Sequence, residues 1–168
     1  MKAIYAGSFD PITLGHLDII ARAAPMFELV IGVAHNAKKK SFIPIGTRRE
    51  LVVKSLATIS LLQPHIAAPA KLSHPIEVHG VYGLLADFCK KNNIHAIVRG
   101  LRNTVDFEYE FGMAHVNAGL GNVETIFLPA KGSQTHVSSS VVRELAALGA
   151  DISEYVPAVV AKYLNNSK

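Results

Sequence analysis

"GSFDPITLGH", residues 7–16, joins an apolar run, Ala3-Ile4-Tyr5-Ala6, to a helix-patterned stretch that begins at Leu14. The chain leaves a buried strand through Gly7-Ser8, crosses Pro11, and enters a helix through Thr13, Gly15 and His16. Small residues at such a junction let backbone approach a ligand closely. The start of a helix offers unbonded N–H groups and the positive end of the helix dipole, which together favour phosphate. Thr13 and His16, three residues apart, share a face, and an imidazole nitrogen aimed the same way adds a donor. The plainer alternative makes Thr13 an ordinary cap and His16 a surface residue.

Outward from this stretch, β-rich and helix-like runs alternate. The pattern predicts strands over Lys2–Ala6, Leu29–Ala34, Ile76–His79, Ile94–Val98 and Val123–Leu128. It predicts helices over Leu14–Phe27, Thr47–Ile59, Tyr82–Lys91, Val105–Gly119, Ser138–Leu148 and Pro157–Leu164, with a proline-broken loop from Gln63 to Ser73. Such alternation predicts one doubly wound, Rossmann-like α/β domain with a mainly parallel five-stranded sheet. Ligands of these sheets bind beyond the carboxyl ends of the strands.

The other strand ends repeat the theme. After the second comes His35-Asn36-Ala37-Lys38-Lys39-Lys40, a phosphate holder or a solvated loop. After the fourth comes Arg99-Gly100-Leu101-Arg102, whose planar guanidinium forks suit phosphate oxygens. Acids in Asp106-Phe107-Glu108-Tyr109-Glu110 follow, placed to pair with those arginines or to accept from a ribose. After the fifth, Ser138-Ser139-Ser140 opens a helix that one serine suffices to cap, leaving a second anion site. Four strand ends with the same chemistry favour the functional reading over each separate bland one.

Composition sets outer bounds. The 168 residues are 49% hydrophobic and 18% charged, which describes a globular chain. Lys plus Arg number 17 against 13 Asp plus Glu; the excess suits an anionic small molecule or nucleic acid, or carries no meaning. Few aromatic residues lie near the basic ones and no RNA-binding motif is visible, so a non-catalytic RNA- or nucleotide-binding module is the lesser alternative. The single cysteine, Cys89, excludes an internal disulfide, fits a reducing cytosol, and falls in a helix pattern that predicts a packed thiol. The chain opens on a strand-like segment, so no secretory leader is expected, and no apolar run nears the roughly 18 residues of a membrane span. Eight histidines are scattered and predict no protein-held metal.

The motifs "TLGH" at 13–16 and "VSSS" at 137–140 resemble the T/H-x-G-H and serine-rich signatures of the nucleotidylyltransferase superfamily. "GSFDPITLGH", "VRGLRNTVDFEYE" and "VSSSVVRE" are similar, more narrowly, to the bacterial phosphopantetheine adenylyltransferase family, over Met1 to about residue 160. TLGH alone also fits cytidylyltransferases and nicotinate-nucleotide adenylyltransferases.

The resemblance implies a single nucleotidylyltransferase domain over 1–168 that moves the adenylyl group of ATP to 4′-phosphopantetheine, the penultimate step of coenzyme A synthesis. It implies His16 as transition-state stabiliser and triphosphate ligand, and Ser8, where the family usually has Thr, in contact with both substrates. Phe9 would contribute backbone to the nucleotide. Lys39 would hold the acceptor phosphate, with Lys40 as rival, beside Arg99 and a channel wall at Leu85. Gly100, Leu101, Arg102, Glu110 and the run Gln134, Thr135, His136, Val137, Ser138, Ser139, Ser140 would surround ATP. It further implies Mg²⁺ arriving with ATP, a cytoplasmic homohexamer, inhibition by coenzyme A, and no nucleic-acid or membrane partner. Another small acceptor, such as nicotinamide mononucleotide, is the alternative. Three stretches depart from the family pattern: "IPIGTRRE" at 43–50, the long Leu62–Gly80 region, and Gln134-Thr135-His136, where aromatic residues are common.

Overall fold

The computed structural model describes residues 1–35, 40–59, 74–132 and 137–166. In chain order the elements are β1 (Lys2–Gly7), α1 (Leu14–Ala23), β2 (Glu28–His35), α2 (Ile45–Leu56), β3 (Glu77–Tyr82), α3 (Leu85–Lys91), β4 (Ala96–Leu101), α4 (Thr104–Gly121), β5 (Glu124–Pro129), α5 (Ser139–Ala147) and α6 (Ala158–Asn166). All pairings in the five-stranded sheet are parallel, in the order β3-β2-β1-β4-β5. Ala3 of the central strand sits opposite Leu29 on one side and Ala96 on the other.

A central parallel strand must bury both faces, and β1 does so by alternation. Ala3 and Tyr5 join a core built with Leu17, Ile20, Val52, Val142 and Val160, which brings α1, α2, α5 and α6 onto that face. Ile4 and Ala6 join Val30, Cys89, Ile97 and Val123 on the other, which α3 covers. The chain runs outward from β1 through β2 and β3, then resumes beside β1 with β4. The crevice at this switch point lies between the carboxyl ends of β1 and β4.

Element edges moved where local chemistry differed from pattern. The first helix stops at Ala23 and not at Phe27, because Pro25 has no N–H to continue the ladder; Met26 and Phe27 instead donate to the carbonyl of Ala23. The third strand is displaced from Ile76–His79 to Glu77–Tyr82, and its helix starts at Leu85 and not at Tyr82. Parallel pairing with β2 persists to Tyr82, and Gly83, at φ +81°, then breaks the chain direction. The fourth strand runs to Leu101 and not only to Val98, so Arg99 and Gly100 lie within it and pair with Phe127 and Leu128. The second helix spans Ile45–Leu56 after Pro44, against the expected Thr47–Ile59. The loop expected at Gln63–Ser73 lies outside the described residues. No described helix is long and apolar enough to cross a membrane.

Candidate active site

A cleft of about 350 Å³ opens between the ends of β1 and β4, walled by the first turns of α1 and α5. Ser8, His16, Arg99, Gly100, Arg102, Glu110, Val137 and Ser138–Ser140 all line it, so the ends of β1, β4 and β5 converge, while Lys40, after β2, lines a neighbouring cavity.

Thr13 is both cap and wall. Its hydroxyl accepts the His16 N–H at 3.4 Å, and its own N–H donates to Nδ1 of His16 at 3.0 Å, closing a reciprocal box at the helix start. Leu14 N–H donates to the carbonyl of Tyr155 at 2.9 Å. The expectation of a row of unbonded N–H groups is therefore corrected: among the described residues, Gly15 alone in this turn keeps an N–H without a partner. His16 is also no surface residue. Its ring meets Phe9 edge-on at 5.1 Å between centroids, and burial, aided by Arg102, lowers its pKa from 6.5 to about 4.

Phe9 supports this arrangement. It turns the chain at φ 45° and buries its ring against Tyr5 and under Gly7, where an added methyl group would sit 3.3 Å from that ring. Gly100 is needed for a similar reason, since a Cβ there would lie 2.9 Å from Ile19.

Both arginines are held in place. Arg99 donates from Nη1 to the carbonyl of Ala6 at 2.6 Å, and its Nε lies 3.0 Å from Glu110 Oε2. That oxygen is buried and makes no aligned hydrogen bond. Arg102 forks onto Asp106 through Nε at 2.8 Å and Nη2 at 2.9 Å. The acids thus pair with the arginines, as one of the two sequence options had it.

The three serines divide their work. Ser138 caps α5 by accepting from Val141 N–H, Ser139 donates to the carbonyl of Pro11 at 2.8 Å, and Ser140 accepts from Arg143. The N–H groups of Ser139 and Ser140 have no partner among the described residues and sit at the positive end of α5.

A second cavity, about 750 Å³, shares Ser8 and Ser140 with the cleft and is lined also by Lys40, Ser41, Arg48 and Arg143. Lys39 and Gln134–His136 lie outside the described residues. Leu85 packs with Phe88 on the opposite face of the sheet and is not part of the cleft. Leu101 does not line it either; its carbonyl accepts from Ala130. Sequence reasoning missed Tyr5 and Arg143. Arg143 was legible: it lies three residues after Ser140 on one helix face.

The arrangement can hold and align phosphates. Cys89 is buried, with its thiol pushed up to about 11 by burial, which leaves it unreactive. Among the described residues no group of three or more His, Cys, Asp or Glu gathers to hold a metal. A cation carried on substrate phosphates asks for no such cluster.

Residues 4–145 match the family model described as cytidylyltransferase-like. The chain is 42% identical, over 98% of both chains, to the phosphopantetheine adenylyltransferase of Leifsonia xyli subsp. xyli. It is 43% identical to that of Cutibacterium acnes, over 95% of this chain and 94% of the relative. Its fold matches a crystal structure described as a putative nicotinate-nucleotide adenylyltransferase from Vibrio parahaemolyticus, with TM-score 0.66 at 19% identity, covering 99% of this chain and 93% of the other.

Proposed function

Because the chain belongs to the cytidylyltransferase-like family, and within it to the phosphopantetheine adenylyltransferases, we propose that its cleft transfers the adenylyl group of ATP to 4′-phosphopantetheine. The products are dephospho-coenzyme A and pyrophosphate. The observation that carries this reading is the meeting of His16, Arg99, Arg102 and the α5 start in one cleft.

The acceptor's phosphate is already an anion. One of its oxygens forms a bond to the α-phosphorus while the bond to the bridging oxygen breaks and pyrophosphate leaves. No proton is removed and no covalent enzyme intermediate forms. The protein aligns two polyanions and offsets their repulsion. Ser8, Arg99 and a lysine of the 38–40 run place the acceptor. Arg102, Arg143, Ser138–Ser140, Phe9, Gly100, Leu101, Glu110 and residues 134–137 place ATP. His16 donates from its ring to the oxygens that gain charge in the transition state. Mg²⁺, if carried on the ATP phosphates, would supply charge neutralisation there.

Three finer features belong to the same proposal. Coenzyme A contains the phosphopantetheine unit, so it competes at the acceptor site. The chain acts in the cytoplasm, as one domain over 1–168. It also assembles as a homohexamer: α4 buries only Asn117 of its 18 residues, yet exposes Val105, Tyr109, Phe111, Val116 and Leu120. A helix apolar on many sides needs a partner, and a second copy of this chain is the partner we assign.

Pyrophosphate release with ATP and three acceptors tests the substrate. 4′-Phosphopantetheine is expected to turn over well above nicotinamide mononucleotide or glycerol 3-phosphate; preference for either of those overturns it.

A further inference from the structure

Within the atypical "IPIGTRRE" segment stands Arg48, the largest fully buried side chain among the described residues, 2% exposed. Its guanidinium keeps a full charge and five donors, and its hydrogen bonds all go to neutral oxygens. Nε donates to the carbonyl of Ile43 at 2.9 Å, Nη1 to those of Ser8 and Ala34, and Nη2 to Ser41 Oγ at 3.3 Å. These acceptors belong to three separate segments: the exit of β1, the end of β2 and the entry to α2.

Asp10 closes the same seam from the other side. Its carboxylate accepts the N–H groups of Phe42 and Ile43, both at 2.8 Å, and its carbonyl accepts from Arg143 at 2.7 Å. Residues 41–43 are therefore bracketed against residues 8–10 by two buried charged groups. Burying charge is costly, and an apolar side chain of similar volume often serves stability as well or better. Anchoring α2 alone does not call for this arrangement. What it provides is register between Ser8, on the rim of both cavities, and the segment that begins at Lys40.

We propose that Arg48 is a positioning residue for the reaction, locking the Ser8 carbonyl and residues 41–43 into one frame so that the acceptor phosphate is registered against ATP. This rests on the adenylyl-transfer reading. Two anions must meet in line, and a misplacement of about 1 Å costs about 10²-fold in rate.

The test uses the full chain as Arg48→Met, Arg48→Lys and Ser41→Ala, with Val52→Ala as a core control in α2 that touches none of these bonds. Amide hydrogen exchange and steady-state kinetics are measured below each variant's melting temperature. In Arg48→Met, exchange at Phe42 and Ile43 is expected to quicken selectively, and KM for 4′-phosphopantetheine to rise about 10- to 100-fold, with the ATP dissociation constant within about threefold. Arg48→Lys, which keeps the charge but not the fork, falls between. Ser41→Ala shows the same direction at smaller size, even if Arg48→Met does not fold. Unchanged exchange at Phe42 and Ile43, or an equal KM rise in Val52→Ala, overturns the proposal. If wild-type protein releases no pyrophosphate with this acceptor, the functional reading fails, while the exchange result still decides whether Arg48 holds the seam.

Discussion

The N–H of Thr13 points at Nδ1 of His16, 3.0 Å away. A backbone N–H can only donate, so Nδ1 must accept, and the neutral ring carries its proton on Nε2. The helix cap thus does more than end a helix. It fixes the tautomer and leaves one imidazole donor for the cleft that His16 lines. The hydroxyl of Thr13, also 3.0 Å from Nδ1, reinforces the same choice.

His16→Ala removes that donor. We expect kcat to fall about 10²- to 10³-fold, the scale for one preorganised donor lost at developing negative charge. ATP affinity should change far less, because the contact strengthens in the transition state. The variant also loses half of its capping box and a ring contact with Phe9, so a drop of about 2–4 °C in Tm, equivalent to about 1 kcal/mol, is expected. Calorimetry beside kinetics separates the two effects. Near-normal turnover in a folded variant would make His16 merely a cap.

Burial also gives His16 a pH signature. Its folded pKa of about 4 lies below the ordinary 6.5. Between these values the unfolded chain binds a proton that the folded chain refuses, so stability falls as pH drops from 6.5 toward 4. Replacing His16 by Asn removes that dependence. The Tm advantage of wild type over His16→Asn should shrink across this window and stay constant above pH 7. A constant difference from pH 8 to pH 4 would contradict the buried neutral ring. In the free enzyme, the acid limb of kcat/KM should likewise not report a group near 6.5 at this position.

The lysine run separates acceptor from nucleotide. Lys39→Ala should weaken phosphopantetheine use by about 1.5–3 kcal/mol, one charge-assisted contact, and leave ATP binding nearly intact. Lys40 lines the cavity that shares Ser8 with the cleft. A wild-type Lys39→Ala with a large acceptor defect in Lys40→Ala shifts the role by one residue. Competition titrations with each substrate read this directly.

Arg99 carries structure and function at once. Its Nε stands 3.0 Å from a Glu110 oxygen that has no hydrogen-bonded partner. Arg99→Met strands that buried carboxylate, at a cost of about 1–3 kcal/mol. Adding Glu110→Gln should restore part of the lost Tm and none of the lost acceptor affinity. Equal recovery of both would mean Arg99 only balances Glu110.

The sheet was legible because β1, β2 and β4 are short apolar runs separated by helix-period segments. Turn chemistry decided the misplaced edges: Pro25 cut α1, and Gly83 moved β3 and α3 together. In the site, residues with a local signal were found. Arg99 lies near the end of β4, and Thr13, His16, Arg102 and Ser138–Ser140 stand between a strand and the next helix or in that helix's first turn. Those whose role depends on distant partners were not. Arg48 acquires its function from carbonyls at Ser8 and Ala34, and Asp10 from amides at Phe42 and Ile43, contacts 14–40 residues away that no spacing rule encodes.

The claim of direct transfer is tested most directly by the configuration at phosphorus. The protein is given ATP made chiral by sulfur at the α-phosphate, with 4′-phosphopantetheine and Mg²⁺, and the configuration of the resulting dephospho-coenzyme A analogue is determined. A cleft that only aligns two phosphates predicts inversion, with one pyrophosphate released per product. Retention, which requires an adenylylated enzyme between two displacements, would contradict the account, as would the absence of any adenylylated acceptor.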